Sequence, residues 1–153
     1  MKTLYTAQAV SKGGRQGTVW SSDWLLNVTL GNPQQPGAEH RGPSPELLFA
    51  GAYAACFHGA LRKVAELPDT PAVDSTVRAL VSLVEDDAGD SHLTVELHAR
   101  FPGVDPAQTQ RFMTAAHQIC PYSKALLGGT AVTLVVDGPA GPVTNPAILS
   151  PSF

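Results

Sequence analysis

The sequence predicts an α+β fold in which the elements follow the order βββ-α-ββ-αα-β. Three observations predict it: short β-rich segments separated by turns in residues 4–30, one long apolar helix over residues 45–66, and alternating apolar and polar side chains in residues 76–101. The chain of 153 residues has the length of one domain, so we expect a single domain over residues 1–153.

Three β-strands are expected at the start of the chain, because β-rich segments alternate with turn residues there. The strands cover Leu4–Val10, Arg15–Trp20 and Trp24–Leu30, and the turns cover Ser11–Gly14 and Ser21–Asp23. A Gly/Pro-rich loop, residues 31–43, follows, and loops of this length are usually functional or mobile. We therefore expect a small strand meander that leads into the central helix.

The central helix has a clear start signal in Ser44-Pro45-Glu46. Serine can cap the helix, proline suits the first helical position, and an acidic residue in the first turn complements the helix dipole. Pro68 is expected to end the helix. The stretch Leu47–Leu61 is apolar or small nearly all the way round, so we expect burial on most faces. Such a helix needs a sheet on one side, and a second subunit can cover the other.

A hairpin, two helices and a last strand are expected in the second half of the chain. The hairpin strands cover Thr76–Glu85 and Ser91–Phe101, the helices cover Asp105–Ile119 and Tyr122–Leu127, and the last strand covers Thr130–Val136. Pro121 separates the two helices because proline disrupts a helix interior. The remaining tail is rich in proline, and we expect it to be irregular.

Composition excludes several classes of function. The formal net charge is −3 and no long Lys/Arg run is present, which argues against a nucleic-acid partner. No segment approaches the ~20 apolar residues of a membrane span, and residues 1–10 lack a signal-peptide core, so we expect a soluble cytoplasmic protein. Five scattered histidines and two distant cysteines do not have metal-ligand spacing, so no metal site is expected.

The two cysteines, Cys56 and Cys120, are the first candidates for chemistry. Cys56 lies among small apolar residues of the central helix, where a cysteine is usually inert packing. Cys120 precedes Pro121 at the start of the short helix, where unpaired backbone N–H groups and the helix dipole favour a thiolate. Local electrostatics alone therefore favours Cys120 as the nucleophile. In a reducing compartment, a disulfide between the two cysteines would be transient and catalytic rather than structural.

Two charged residues could assist a thiolate. Arg15 has glycines on both sides and could reach into a pocket, although a solvated hairpin arginine is the more common case. Glu46 serves the helix start and could also hold an arginine through a bidentate contact. Glu46 and Cys56 are separated by about 15 Å along a straight helix. An antiparallel copy of the helix in a dimer could bring Glu46 of one chain near Cys56 of the other.

The sequence resembles the OsmC/Ohr family of thiol-dependent peroxidases, most closely its organic hydroperoxide resistance (Ohr) branch. Three stretches carry the resemblance: LYTAQAVSKGGRQGTVWSSDWLLNVTL, PSPELLFAGAYAACFHGAL and CPYSKAL. The resemblance implies an intertwined homodimer in which two long central helices pack antiparallel between β-sheets. It also implies two active sites at the subunit interface, without a metal or prosthetic group.

The resemblance implies a role for four residues of this sequence. Cys56 attacks the peroxide, Cys120 resolves the resulting sulfenic acid as a disulfide, and Arg15 and Glu46 activate the Cys56 thiolate. This assignment reverses the local choice of nucleophile. The reversal is physically reasonable if Arg15 supplies the positive charge that the helix around Cys56 lacks. An external dithiol, in this family a lipoylated protein or dihydrolipoamide, then reduces the disulfide.

Four apolar side chains are expected to line the substrate pocket and to favour alkyl or fatty-acid hydroperoxides over hydrogen peroxide. They are Trp20, Phe49, Tyr53 and Phe57, each of which, taken alone, is more often ordinary core. The usual Asn-Pro-Glu of the family is Ser-Pro-Glu here, and KALLGG after the second cysteine leans toward the OsmC branch. Two alternatives stay open: a general OsmC-type peroxidase that also uses hydrogen peroxide, and a non-catalytic dimeric binding module of the same fold.

Overall fold

The computed structural model describes residues 1–34, 42–65 and 75–138. Within these residues the elements follow the predicted order of three strands, a long helix, a hairpin, two helices and a last strand, so the α+β fold class is confirmed. Two compact units, divided between Ala50 and Gly51, make up the chain. The single domain over residues 1–153 stays a prediction. The predicted helix stop at Pro68 and the Pro-rich tail lie outside the described residues.

The first unit contains a three-stranded antiparallel sheet. Its strands are β1 (Ala9–Lys12), β2 (Thr18–Ser21) and β3 (Asn27–Thr29), in the order β1-β2-β3. The first strand therefore begins at Ala9 rather than at Leu4. Leu4 and Tyr5 are each 83% exposed, so this stretch has β-type composition but buries little against the sheet. A strand needs pairing as well as composition, which explains the difference.

Glycines shape the turn between β1 and β2. Gly13 and Gly14 have φ angles of 84° and 60°, in the left-handed region that glycine adopts most readily. A Cβ atom on Gly17 would overlap the carbonyl oxygen of Lys12, so the turn closes too tightly for any side chain there. Arg15 consequently lies in a single 3₁₀ turn, Gly14–Gln16, rather than in a strand as predicted.

The long helix α1 covers Pro45–Ala65, with the predicted start. The hydroxyl of Ser44 accepts a hydrogen bond from the backbone N–H of Leu47 at 3.2 Å, as an N-cap should. Five residues that share one side of α1 are buried: Tyr53, Phe57, Ala60, Leu61 and Ala65. Leu47 is 62% exposed, so the expected burial on most faces is found on one side only. No helix in the described ranges has the length and apolarity to cross a membrane.

The second unit contains a three-stranded sheet with the order β4-β5-β6. Strands β4 (Thr76–Glu85) and β5 (Ser91–Arg100) form the predicted antiparallel hairpin, and β6 (Ala131–Val136) lies parallel to β5. The connection from β5 to β6 passes through α2 (Pro106–Ile119) and α3 (Pro121–Leu126). Alternate residues of β5 form the inner face of the sheet; Val95, Leu97 and Ala99 are at most 2% exposed.

Candidate active site

Cys56 and Cys120 lie side by side, although 64 residues separate them in sequence. Their sulfur atoms are 3.6 Å apart, with the Cys120 thiol donating to the Cys56 sulfur, and both are free thiols. Sulfur atoms in a disulfide are about 2.05 Å apart. A closer approach of roughly 1.5 Å would therefore be enough to join them. The site is therefore a pair of adjacent free thiols.

The corner between α2 and α3 positions Cys120. Pro121 follows it, and a residue before proline is held away from helical geometry. Cys120 accordingly has φ −64° and ψ 122°, and it is at once the last cap of α2 and the first cap of α3. Its N–H donates to the carbonyl of Ala116 at 2.9 Å, and its own carbonyl accepts from the N–H of Lys124 at 3.0 Å. The corner is therefore fixed by backbone hydrogen bonds on both sides of the cysteine.

The two sulfur environments differ. Cys56 is partly exposed, whereas Cys120 is fully buried. Burial raises the pKa of Cys56 above its ordinary value, and the adjacent Cys120 thiol adds to the rise. A hydrogen bond from the backbone N–H of Tyr122 opposes this rise by stabilising the Cys56 thiolate. Cys120 is the first cap residue of α3, as predicted, but its side chain makes no capping hydrogen bond. The Tyr122 N–H at the start of α3 therefore serves Cys56, not Cys120.

A second contact joins the helices that carry the two cysteines. The hydroxyl oxygens of Tyr53 in α1 and Ser123 in α3 are 2.9 Å apart, and both side chains are at most 1% exposed. The rings of Tyr53 and Tyr122 pack with centroids 5.9 Å apart at 46°. Burial raises the pKa of Tyr53, which keeps the phenol protonated. Ser123 is not among the site residues predicted from the sequence; its position one helical turn after Cys120 was the available signal.

Arg15 and Glu46 form an ion pair in the first unit. The Nη2 atom of Arg15 donates to Oε1 of Glu46 at 2.5 Å; the arginine side chain is 45% exposed and the glutamate side chain 14%. Burial by itself would raise the pKa of Glu46. The hydrogen bond and charge of Arg15, with backbone and Ser44 hydrogen bonds, outweigh it, so the pKa is lowered. Glu46 is thus a firm anchor for the guanidinium.

The predicted pocket residues fall into two groups. Trp20 and Phe49 are half-buried in the first unit, and Tyr53 and Phe57 are fully buried in the second. The Tyr53 hydroxyl is engaged by Ser123. Binding of substrate by these four side chains stays a prediction.

Two histidines in the described part of the chain hydrogen-bond to residues other than the two cysteines. His58 hydrogen-bonds Ser75 at 2.8 Å, and His98 contacts Asp137 at 2.9 Å and Glu96 at 3.0 Å. Among the described residues, no three His, Cys, Asp or Glu side chains come together in a group that could hold a metal ion.

Fold and site together define a class, namely an α+β protein with two adjacent free thiols on neighbouring helices. A family model described as OsmC-like protein matches residues 37–135. An organic hydroperoxide resistance protein of Xanthomonas axonopodis pv. citri (strain 306) is 42% identical over 141 residues, covering 88% of this chain and 96% of that protein.

Solved structures agree with this match. The organic hydroperoxide resistance protein OhrB of Bacillus subtilis superposes with a TM-score of 0.82 at 38% identity, covering 88% of this chain and 100% of that one. An organic hydroperoxide resistance protein of Vibrio cholerae O1 biovar eltor str. N16961, with captopril bound in one of its active sites, gives a TM-score of 0.81 at 36% identity, covering 90% and 95%. The chain belongs to the OsmC/Ohr family and is most like its organic hydroperoxide resistance branch.

Proposed function

We propose that this chain is a thiol-dependent peroxidase that reduces organic hydroperoxides to alcohols. The observation that carries the proposal is the pair of free thiols, Cys56 and Cys120, with sulfur atoms 3.6 Å apart in a member of the OsmC/Ohr family. The names of the relatives, organic hydroperoxide resistance proteins, support the choice of an organic peroxide as substrate.

Cys56 is the proposed nucleophile and Cys120 the resolving thiol. Partial exposure makes the Cys56 sulfur reachable by a peroxide, whereas Cys120 is fully buried. The hydrogen bond from the Tyr122 N–H stabilises negative charge on Cys56, and the thiolate is the reactive form of cysteine. These two features favour Cys56 as the nucleophile, whereas local helix electrostatics alone favours Cys120.

Cys56 needs a nearby positive charge, because burial raises its pKa within this chain. Arg15, held by Glu46, is the proposed source of that charge. Glu46 precedes Cys56 by about 15 Å along α1. We therefore assign the Arg15–Glu46 pair that acts on one Cys56 to the other subunit of a homodimer with antiparallel α1 helices.

The exposed side of α1 supports such a dimer. Leu47, Gly51, Ala55 and Gly59, which recur every fourth residue, are exposed in the single chain. A Cβ atom on Gly51 or Gly59 would meet nothing within 4 Å, so this side leaves room for another backbone to approach closely. The Vibrio cholerae relative, described with a ligand in one of its active sites, has more than one active site.

The proposed cycle has three steps. The Cys56 thiolate attacks one peroxide oxygen; the O–O bond breaks, Cys56 becomes a sulfenic acid, and the alkoxide takes a proton and leaves as an alcohol. Cys120 then attacks the oxidised sulfur, and the sulfenic oxygen leaves as water as the disulfide forms. An external dithiol, such as dihydrolipoamide or a lipoylated protein, gives two electrons and two protons by exchange and restores both thiols.

Apolar side chains beside the thiols favour an alkyl or fatty-acid hydroperoxide over hydrogen peroxide. Ile119 and Tyr122 flank the Cys120-Pro121 corner and are 40% and 37% exposed. Contact between these side chains and an alkyl chain would remove apolar surface from water, which favours substrate binding. Trp20, Phe49, Tyr53 and Phe57 are the further proposed contacts of the substrate.

The test compares wild type, Cys56→Ser and Cys120→Ser in consumption of cumene hydroperoxide and of hydrogen peroxide, with dihydrolipoamide as reductant. Wild type should turn over cumene hydroperoxide at least about tenfold faster than hydrogen peroxide. This ratio corresponds to a difference of roughly 1.4 kcal/mol in activation free energy. Cys56→Ser should consume neither peroxide. Cys120→Ser should consume one equivalent and accumulate a sulfenic acid that dimedone traps on Cys56.

Each other outcome contradicts part of the proposal. Equal rates with the two peroxides would indicate a general peroxidase instead of an organic hydroperoxidase. Full activity of Cys56→Ser would exclude Cys56 as the nucleophile. No peroxide consumption by wild type with any dithiol would leave a non-catalytic binding module as the better explanation.

A further inference from the structure

The Tyr53–Ser123 hydrogen bond lies one helical turn from the two sulfur atoms on both helices. Tyr53 precedes Cys56 by three positions in α1, and Ser123 follows Cys120 by three positions at the start of α3. Residues three positions apart on a helix are neighbours on its surface. The 2.9 Å contact between the two hydroxyls therefore runs beside the 3.6 Å contact between the two sulfur atoms.

The environment of this hydrogen bond makes it a strong constraint. Tyr53 is fully buried and Ser123 is 1% exposed, so water has little access to either hydroxyl. A buried hydroxyl that loses its partner leaves an unsatisfied polar group, which is costly. Burial, followed by the nearby Cys120 and Cys56 sulfurs, acts to raise the pKa of Tyr53, so the phenol stays protonated and able to donate. The two helices therefore resist separation at this point.

We propose that Tyr53 and Ser123 are positioning residues that hold Cys120 within reach of Cys56 for disulfide formation. With the helices tied one turn away, the sulfur atoms need to approach by only about 1.5 Å to reach the length of a disulfide bond. In the step concerned, the Cys120 sulfur bonds to the Cys56 sulfur, the S–O bond of the sulfenic acid breaks, and hydroxide leaves with the Cys120 proton as water. The biological role of this contact rests on the proposed function, whereas the geometry of the contact does not depend on it.

The consequence is competition between two fates of the Cys56 sulfenic acid. Cys120 either closes the disulfide, or a second peroxide molecule oxidises the sulfenic acid to a sulfinic acid, which is not readily reversed. A constraint that keeps Cys120 close favours the first fate. Loss of the Tyr53–Ser123 bond should therefore slow disulfide closure and increase over-oxidation of Cys56.

The experiment measures disulfide closure in wild type, Tyr53→Phe, Ser123→Ala, the double variant and Ser123→Thr. The thiols are oxidised with diamide, which accepts two electrons and two protons and requires no peroxidase activity. The oxidised protein is then equilibrated with a dithiothreitol redox buffer. Alkylation of the remaining thiols, followed by intact mass measurement, gives the fraction of protein that contains the disulfide. In each single variant, the equilibrium constant for disulfide formation should fall about 3- to 10-fold, which is the usual range for the loss of one hydrogen bond. The double variant should lose no more than either single variant, and Ser123→Thr should resemble wild type.

Two controls separate positioning from general stability. Leu61→Val removes buried volume from α1 without touching either hydroxyl, and it should lower stability to urea but keep disulfide closure. Tyr5→Phe removes a phenol at a position that is 83% exposed and should match wild type throughout. With excess cumene hydroperoxide, Tyr53→Phe and Ser123→Ala should show a larger sulfinic fraction than either control, by about the same 3- to 10-fold.

Wild-type closure in the folded variants Tyr53→Phe and Ser123→Ala would overturn the inference while leaving the proposed function intact. Additive losses in the double variant would also overturn it, because two residues that share one bond cannot lose it twice. A wild type that forms the disulfide with diamide but consumes no peroxide would contradict the proposed function alone. Failure of wild type to form the disulfide at all would contradict both.

Discussion

The side chains of Arg15 and Glu46 meet at 2.5 Å although 31 residues separate them in sequence. The arginine is 45% exposed, and exposed ion pairs contribute only about 0–1 kcal/mol to stability. Three glycines around the arginine, Gly13, Gly14 and Gly17, set a turn that no other residues would adopt easily. The turn is strongly constrained, yet the ion pair that it permits adds little to stability. This combination favours a chemical role for the guanidinium of Arg15.

Replacing Arg15 should raise the pKa of Cys56. Burial already raises that pKa within the chain, and the proposed guanidinium of the partner lowers it again by favouring the thiolate. In a Cys120→Ser background, the pH midpoint of Cys56 alkylation by iodoacetamide should move upward by about 1–3 units in Arg15→Gln. Arg78→Gln, which removes a comparably exposed arginine from β4, should leave the midpoint in place. An unchanged midpoint in Arg15→Gln would exclude Arg15 as the activating charge.

Substituting Gly17 should disturb the turn that carries Arg15. A Cβ atom there would overlap the Lys12 carbonyl oxygen, so Gly17→Ala must shift backbone at a cost of about 1–3 kcal/mol. Urea denaturation should detect this loss, and peroxidase turnover should fall with it. Gly129→Ala is the matched control, since a Cβ atom at Gly129 meets nothing within 4 Å and its φ is not positive. If both variants behave alike, the tight approach at Gly17 is not important.

Glu46 should contribute a pH-dependent part of the stability. Its pKa is lowered in the folded state, so the unfolded chain binds more protons, and the contribution is present above the ordinary value of 4.5. That contribution is lost as pH falls through the lowered folded pKa. The difference in unfolding free energy between wild type and Glu46→Gln should therefore shrink, by less than about 1 kcal/mol, between about pH 6 and about pH 3. A difference that stays constant over this pH range would contradict this role of Glu46.

Local sequence signals predicted the second half of the fold closely. The β4–β5 hairpin was predicted to within one residue because strict alternation and an Asp/Gly turn specify it locally. Helix α2 begins after Asp105, whose side chain accepts from the N–H of Gln108 at 3.1 Å, as its capping sequence predicts. The first strand was placed too early because a β-rich sequence such as residues 4–8 becomes a strand only when another strand pairs with it.

The site depended on contacts that local patterns do not contain. Cys120 was correctly placed at the start of α3, but the N–H group of Tyr122 points to Cys56 across the chain. Only tertiary packing brings these residues together, so local sequence alone predicted that the N–H groups at the start of α3 would stabilise Cys120 instead of Cys56. Ser123 escaped notice for the same reason, since its partner Tyr53 is 70 residues away.

Leu47 should be part of the proposed dimer interface. It is 62% exposed on the side of α1 where small residues recur, and a lysine there would bury a charge against the partner helix. Leu47→Lys should therefore sediment as a monomer at concentrations where wild type is a dimer. Leu80→Lys is the matched control, because Leu80 is 39% exposed on β4. It lies opposite Glu96, which can form an ion pair with a lysine at this position. A dimeric Leu47→Lys would place the interface elsewhere.

Mixing two inactive variants should restore activity if the active site is shared between subunits. Arg15→Gln lacks the activating charge and Cys56→Ser lacks the nucleophile, so neither homodimer has a complete site. In a mixed dimer with the proposed geometry, Cys56 of the first variant meets the intact Arg15–Glu46 pair of the second, and one complete site forms. Random exchange gives about half mixed dimers with one site of two, so about a quarter of wild-type turnover should return. If Arg15 instead acts on Cys56 of its own chain, no dimer in the mixture has a complete site, and the mixture stays as inactive as its components. Leu47→Lys in both variants prevents the exchange, and any activity that survives this change would come from something other than a shared site.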